Sequence, residues 1–227
     1  MSGYDNHLFI KTLGNSEGHI SCIQNNEKKL YSFTKQVIVD KFVNKEGKEI
    51  DVKRELKFIH SLRFMASSLD KLSSNLKINQ FINLKKYYCG NQRSLWLRKG
   101  VYSYDYVDCL NKLDETSLPP KEEFYSNLTG EGITDEDYQH THAVWKEFHI
   151  ETMKDCHKLY NLSDVTLLTD IFENFRSICM NHYGLDPAWY FSAPGLAWDS
   201  TLKITKVHLE LLSDPDMLLM IESGIRG

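Results

Sequence analysis

The strongest hydrophobic pattern in the chain lies in its C-terminal half, between residues 162 and 182. Apolar residues recur there at intervals of three and four, namely at Val165, Leu168, Ile171, Phe172, Phe175, Ile178 and Cys179. On a helix of 3.6 residues per turn, this spacing places the apolar side chains on one face. We therefore expect a long amphipathic helix here, which Gly184 would end.

The N-terminal part has a different pattern, typical of strands. Apolar runs begin at Ile20 and at Phe33, and a third strand is expected over residues 50–62. The Asn-Lys-Glu-Gly stretch at residues 44–47 favours a turn between the last two. A β-hairpin is the simplest arrangement for this region, and the spacing of apolar residues predicts a short helix before it over residues 4–13.

From residue 64 onward the pattern predicts mostly helices joined by short loops. The Leu-Pro-Pro stretch at residues 118–120 interrupts it. Thr134 followed by three acidic residues is typical of a helix start. Further helices are expected after Pro194 and just before the C-terminal glycine.

The net charge of the chain is −4 and its isoelectric point is near 6.1. No overall positive charge therefore marks it as a free-standing nucleic-acid-binding protein. An acidic balance is compatible with a nuclease cleft, because such a cleft needs carboxylates to hold metal ions and its contacts with DNA are local.

The five cysteines are scattered without paired Cys-x-x-Cys spacing, and no signal peptide precedes them. This favours reduced thiols in an intracellular protein. No apolar run approaches the roughly 20 residues needed to span a bilayer, so we expect no membrane partner. The sequence does not distinguish nucleus, mitochondrion and cytoplasm.

Two pairs of a tyrosine and an aspartate could carry chemistry. Tyr160 and Asp164 are four residues apart at the front of the long helix, so both side chains lie on one face. The carboxylate could bind a divalent metal ion while the hydroxyl orients an attacking water. Tyr4 and Asp5 could present a ring to a base and a carboxylate to a cleft. Taken alone, ordinary helix contacts are the simpler explanation of each pair.

The order of several motifs is more specific than any one of them. They lie at residues 3–10 (GYDNHLFI), 61–65 (SLRFM), 99–102 (KGVY), 160–164 (YNLSD), 183–187 (YGLDP), 194–199 (PGLAWD) and 222–227 (ESGIRG). In this order they resemble the protein-primed family B DNA polymerases of linear plasmids, viruses and large self-synthesising transposons. The resemblance covers nearly the whole chain.

The resemblance implies roles for eight residues. Asp5 and Asp164 would be metal-binding acids of the second and third exonuclease motifs, and Tyr160 and Lys99 would assist the reaction. The residues implied in contacts with single-stranded DNA are Tyr4, Ser61, Leu62 and Tyr104. The cofactor would be Mg²⁺ or Mn²⁺ in a two-metal site, and the partners would be single-stranded DNA and a terminal protein primer.

The fold implied by the resemblance is α/β: a truncated ribonuclease H-like 3′–5′ exonuclease domain, mostly helical after an N-terminal β-hairpin. Residues 1–183 would hold part of the exonuclease domain, and residues 184–227 would form a helical connection toward a polymerase domain. The function implied is DNA replication with proofreading.

The chain departs from the family's pattern at several places. The Asp-x-Glu of the first exonuclease motif, and the Asn that opens the second, would both precede residue 1. His60 stands where an Asp is expected, and residues 225–227 keep only part of a Tyr-x-Gly-Gly linker motif. We therefore expect a fragment that is inactive alone. The alternative is a non-catalytic remnant of a mobile-element polymerase gene, retained for binding DNA or a terminal protein.

Six further aromatic residues could form a platform for stacked bases, but core packing is the favoured interpretation. They are Trp145, Phe148, Trp189, Tyr190, Phe191 and Trp198.

Overall fold

The structure is a computed structural model that describes residue 10 and residues 12–26, 29–88 and 90–225, with the side chains of residues 24–31 outside the description. Most of the helix predicted over residues 4–13 lies outside these ranges. Tyr4 and Asp5 lie outside them too.

Three antiparallel strands form one sheet in the order β1-β2-β3. They are β1 (Ile20–Asn26), β2 (Lys29–Val43) and β3 (Glu49–Phe58). The predicted hairpin is the β2–β3 pair, and β1 adds a third strand to it. Residues 44–47 form the predicted turn, in which Asn44 Oδ1 accepts 2.9 Å hydrogen bonds from the backbone N–H groups of Glu46 and Lys48.

The helices follow the sheet. They are α1 (Leu69–Ser74), α2 (Leu84–Tyr87), α3 (Asn91–Leu95), α4 (Asp135–Glu147), α5 (Met153–Tyr183), α6 (Ala193–Thr205) and α7 (Pro215–Gly224). Single 3-10 turns occur at Ser61–Arg63, Ile78–Gln80, Leu110–Asp114, Lys121–Phe124 and Pro187–Trp189. Before residue 135 the longest described helix has six residues, so the prediction of mostly helical structure holds only from there onward.

The third strand ends earlier than predicted. It stops at Phe58 instead of residue 62, and residues Ser61–Arg63 turn as one 3-10 helix. His60 Nδ1 accepts a hydrogen bond of 3.3 Å from the backbone N–H of Leu62. This side-chain cap redirects the chain out of the strand, as capping groups do at helix starts.

Helix α5 is longer than its hydrophobic pattern predicts. Thr152 caps it: its hydroxyl accepts a hydrogen bond from the backbone N–H of Asp155 and donates one to the Asp155 carboxylate. The helix therefore begins at Met153, nine residues before residue 162. Gly184 ends it in the left-handed conformation at φ 62°, as predicted. Tyr160 and Asp164 consequently lie inside the helix, and their expected position at its front is wrong.

The main core packs around α5. Its buried members include Leu84, Trp96, Val144, Met153 and Leu167. Asp170, also on α5 and only 1% exposed, accepts hydrogen bonds from the backbone N–H groups of Asn83 and Leu84. These contacts fix α2 against α5, so the long helix is the scaffold for the segments around it.

The described residues form a mixed α and β fold with a small antiparallel sheet. The sheet reaches the helical part partly through Lys57, which donates a 2.8 Å hydrogen bond to the carbonyl of Trp189 and lies over the ring of Phe191. Within the described ranges no helix has both the length and the apolar character required to cross a bilayer.

Candidate functional site

Three tyrosines meet on one face of α5. Tyr160 projects from the helix and is 5% exposed. The ring of Tyr102 stacks on it at a centroid distance of 5.1 Å, and the ring of Tyr104 meets it edge-on at 5.8 Å. The hydroxyl groups of Tyr104 and Tyr160 are hydrogen-bonded to each other. Burial, followed by this hydrogen bond and by the charge of Asp164, holds the pKa of Tyr160 well above its usual range.

A glycine makes this packing possible. A Cβ atom on Gly100 would lie 2.7 Å from the ring of Trp96 and 3.1 Å from the ring of Tyr160. Since real Cβ atoms do not approach neighbours at 2.7 Å, only glycine fits here. The segment from Lys99 to Tyr104 can therefore lie directly on α5, which brings its side chains to those of the helix.

Asp164 lies one turn beyond Tyr160 in a partly buried position. Its Oδ1 atom is buried without a hydrogen-bond partner. Burial raises the pKa of the Asp164 carboxyl, while the Tyr160 hydroxyl and the positive charge of Lys99 act in the opposite direction. Tyr160 and Lys99, which are predicted to assist the reaction, are thus the two groups that act to lower the pKa of Asp164.

A groove lies beside Asp164 and has a volume of about 380 Å³. One wall is the 3-10 turn with Ser61 and Leu62, and the opposite wall is α5 with Asp164. The remaining lining residues are His60, Met65, Ser67, Leu69, Leu72, Val165 and Leu168. The lining is mostly apolar, and Asp164 is its one acidic residue.

The structure brings together the six candidate residues that it describes. Ser61 and Leu62 share the groove with Asp164. Lys99 acts electrostatically on the same carboxylate, Tyr160 lies one turn before it on α5, and Tyr104 is hydrogen-bonded to Tyr160. Tyr4 and Asp5, the other two candidates, lie outside the described residues.

Sequence reasoning missed the residues that support the tyrosines. Tyr102 is not among the predicted site residues, yet its ring packs on Tyr160 and its hydroxyl lies 3.0 Å from His157 Nδ1. Asn161 Nδ2 lies 2.9 Å from His157 Nε2. The spacing of four residues between His157 and Asn161 could have indicated a shared helix face.

The described residues do not by themselves complete a metal site. Mg²⁺ prefers six oxygen ligands in octahedral geometry, and the groove offers the single carboxylate of Asp164. No group of three or more His, Cys, Asp or Glu side chains within the described ranges could hold a metal ion. Asp164 fits as one ligand, because its Oδ1 has no other partner, and further ligands would have to come from elsewhere.

The outer aromatic residues divide into two groups. Trp145 and Phe148 pack against the core, as favoured. Trp189, Trp198 and Phe191 are 78%, 59% and 38% exposed, so core packing is wrong for these three, and Tyr190 is partly buried. None of these four lines the groove beside Asp164.

The chain matches no family model, no curated protein and no solved structure.

Proposed function

We propose that this chain is the proofreading-exonuclease region of a protein-primed family B DNA polymerase and that its groove binds the 3′ end of single-stranded DNA. In this proposal residues 1–183 belong to a ribonuclease H-like exonuclease domain, and residues 184–227 connect it to a polymerase domain.

One observation carries the proposal. Ser61, Lys99 and Asp164 belong to three motifs that are far apart in the sequence. Ser61 and Asp164 line one groove, and the charge of Lys99 acts on the Asp164 carboxyl group. Tyr104 and Tyr160, 56 positions apart, are joined by a hydrogen bond. Accidental motif matches would be scattered over the surface, whereas residues with a shared task are expected to meet.

The proposed reaction is hydrolysis of the last phosphodiester of the strand. A water attacks the phosphorus atom, the bond from phosphorus to the 3′ oxygen breaks, and a nucleoside 5′-monophosphate leaves. Tyr160 would orient the water and Lys99 would stabilise the negative charge that develops on the phosphate. Asp164, together with Asp5, would hold the divalent ions, which polarise the phosphate when bound.

The groove would hold the terminal nucleotides. Its apolar lining, which includes Leu62 and Leu168, suits contact with the faces of bases and does not depend on their sequence. The ring of Tyr104 is 61% exposed and is available for stacking. Sequence-independent binding is what proofreading of any terminal nucleotide needs.

A second candidate is a non-catalytic protein that binds DNA or a terminal protein. The observation that favours it is that one carboxylate lines the groove, where two-metal hydrolysis needs several. Binding of a single strand would require the groove and the ring of Tyr104, but no metal ion.

The test is a fluorescence titration of the purified chain with a labelled oligonucleotide, single-stranded or duplex. We expect a preference for the single strand that weakens with added salt. Tyr104→Ala should cost about 1–3 kcal/mol of binding free energy through lost stacking, and Leu62→Ala should also weaken binding. Tyr87→Ala and Leu211→Ala are matched controls at exposed positions outside the groove and should bind like the wild type.

The proposal is wrong if the wild type binds neither form of DNA, or if all four variants bind equally well. Binding of a terminal protein in place of DNA, abolished by Leu62→Ala, would favour the non-catalytic alternative.

A further inference from the structure

The hydroxyl groups of Tyr104 and Tyr160 are hydrogen-bonded to each other, although the exposed Tyr104 has access to water as a partner. Tyr104 is largely exposed and could satisfy its hydroxyl with water, yet it is bonded to the 5% exposed Tyr160. Asp164 follows one turn later on α5, and its charge contributes to the raised pKa of the Tyr160 hydroxyl. The hydrogen bond therefore joins an exposed tyrosine to a buried tyrosine on the turn of α5 that precedes Asp164.

The hydrogen bond between the two phenols restrains the Tyr160 hydroxyl. A phenol can donate and accept, so either oxygen can be the donor. In both cases the bond to Tyr104 limits the rotation of the Tyr160 hydroxyl about its C–O bond.

A second contact keeps Tyr104 in place for this task. Its ring meets the ring of Tyr102 edge-on at 5.3 Å, and the hydroxyl of Tyr102 pairs with His157 of α5. Tyr104 is thus supported by a neighbour that is itself tied to the helix carrying Tyr160. The hydroxyl is positioned, while one part of the ring remains open to a ligand.

We propose that Tyr104 is a positioning residue for Tyr160, with its hydroxyl orienting the Tyr160 hydroxyl and its ring contacting the DNA strand. The proposal rests on the proposed function, because an oriented Tyr160 hydroxyl is useful only where a water must be directed at a phosphate. The ring and the hydroxyl of Tyr104 have different tasks. Because both belong to one side chain, a strand that stacks on the ring also restrains the hydroxyl that is bonded to Tyr160.

The experiment separates the two parts with Tyr104→Phe and Tyr104→Ala in the whole chain. The protein is labelled with ¹³C at tyrosine Cζ, whose chemical shift reports the hydrogen bonding of the phenol. Tyr160→Phe assigns the Tyr160 resonance. Tyr102→Phe is the matched control, because it removes a neighbouring hydroxyl that is bonded to His157 and keeps the ring stacked on Tyr160.

We expect Tyr104→Phe to move the Tyr160 resonance and to leave the affinity for single-stranded DNA within about twofold, since the stacking ring remains. Tyr104→Ala should move the resonance and weaken binding about tenfold. Tyr102→Phe should move the Tyr160 resonance far less than Tyr104→Phe does.

Two results would overturn the inference. One is a Tyr160 resonance that Tyr104→Phe leaves in place, and the other is a loss of DNA affinity in Tyr104→Phe as large as in Tyr104→Ala. A wild-type chain that does not bind DNA, with the resonance still moved by Tyr104→Phe, would instead contradict the proposed function and leave the hydrogen bond established.

Discussion

Replacing Asp170 by alanine should destabilise the fold more than any exposed acid on the same helix. Asp170 is 1% exposed, and its two oxygens accept hydrogen bonds from the backbone N–H of Asn83 at 2.7 Å, the side chain of Asn83 at 3.0 Å and the backbone N–H of Leu84 at 3.0 Å. Leu84 itself is fully buried. Water therefore cannot easily replace the lost carboxylate.

The expected cost follows from the groups left without a partner. A buried donor that loses its acceptor costs about 1–3 kcal/mol. Two backbone donors are affected here, and relaxation of Asn83 at the edge of the core reduces the sum. We expect Asp170→Ala to lower the free energy of unfolding by about 3 kcal/mol. Glu173→Ala removes an exposed acid that is paired with Arg176 on the same helix and should cost less than about 0.5 kcal/mol.

The assay is urea unfolding followed by far-ultraviolet circular dichroism and by tryptophan fluorescence, with coincident transitions as the condition for a two-state analysis. The midpoint should fall for Asp170→Ala at an unchanged denaturant dependence. A cost below about 1 kcal/mol would mean that the N–H groups of Asn83 and Leu84 find other acceptors, and the role assigned to Asp170 would be refuted.

Two further predictions concern the carboxylate of the groove. Because burial raises the pKa of Asp164, its ionisation opposes folding, so the contribution of Asp164 to stability should fall as the pH rises from about 4, the usual carboxyl pKa, through the raised value. Asp164→Asn should therefore be the more stable protein at pH 7, and its advantage in thermal unfolding should vanish in acid; a variant less stable than wild type at neutral pH would contradict this. The proposal assigns two acids of this chain, Asp5 and Asp164, to the metal ions, and two carboxylates are too few to hold two divalent ions in place, so the chain alone should not degrade a 5′-labelled single strand with Mg²⁺ or Mn²⁺. Fusion to a strand carrying Asp-x-Glu should create that activity, and Asp164→Ala in the fusion should abolish it. Cleavage by the unfused chain would refute the assignment of the acids.

The helices after residue 134 could be predicted because local signals determine them. Thr134 and its acidic neighbours mark the start of α4, and the Thr134 hydroxyl accepts a hydrogen bond from the backbone N–H of Asp137. Gly184 ends α5 because only glycine readily takes the left-handed conformation found there. The turn at Asn44 follows equally from local hydrogen bonding.

The start of α5 could not be predicted from its apolar stripe. The first turns, from Met153 to Tyr160, bury residues of mixed character, including Cys156, against the core and the tyrosines. A periodic pattern is weak where one face packs on several different segments. The capping signal at Thr152, followed three residues later by Asp155, was present and would have given the correct start.

The convergence of the site depends on contacts over long distances in the sequence. Gly100 lies against the ring of Trp96. Because it has no side chain, the segment that carries Lys99 and Tyr104 can approach α5. Nothing in the local sequence indicates that this glycine serves close packing instead of a turn. Motif order predicts which residues would act together, and the packing at Gly100 allows the segment from Lys99 to Tyr104 to contact α5.

Asp164 and Asp170 provide an argument for the site that does not depend on motif matching. Both lie on α5 in partly or fully buried positions, and they differ in what surrounds them. Asp170 has three hydrogen-bond donors around it and so completes the fold. Asp164 Oδ1 has no partner, and among the described residues it is the one carboxylate oxygen buried in this way. Folded proteins satisfy nearly all buried polar atoms, and carboxyl groups with a raised pKa concentrate at functional sites. Packing alone does not require an ionisable group at position 164, whereas the proposed function assigns this carboxylate a metal ion as its partner.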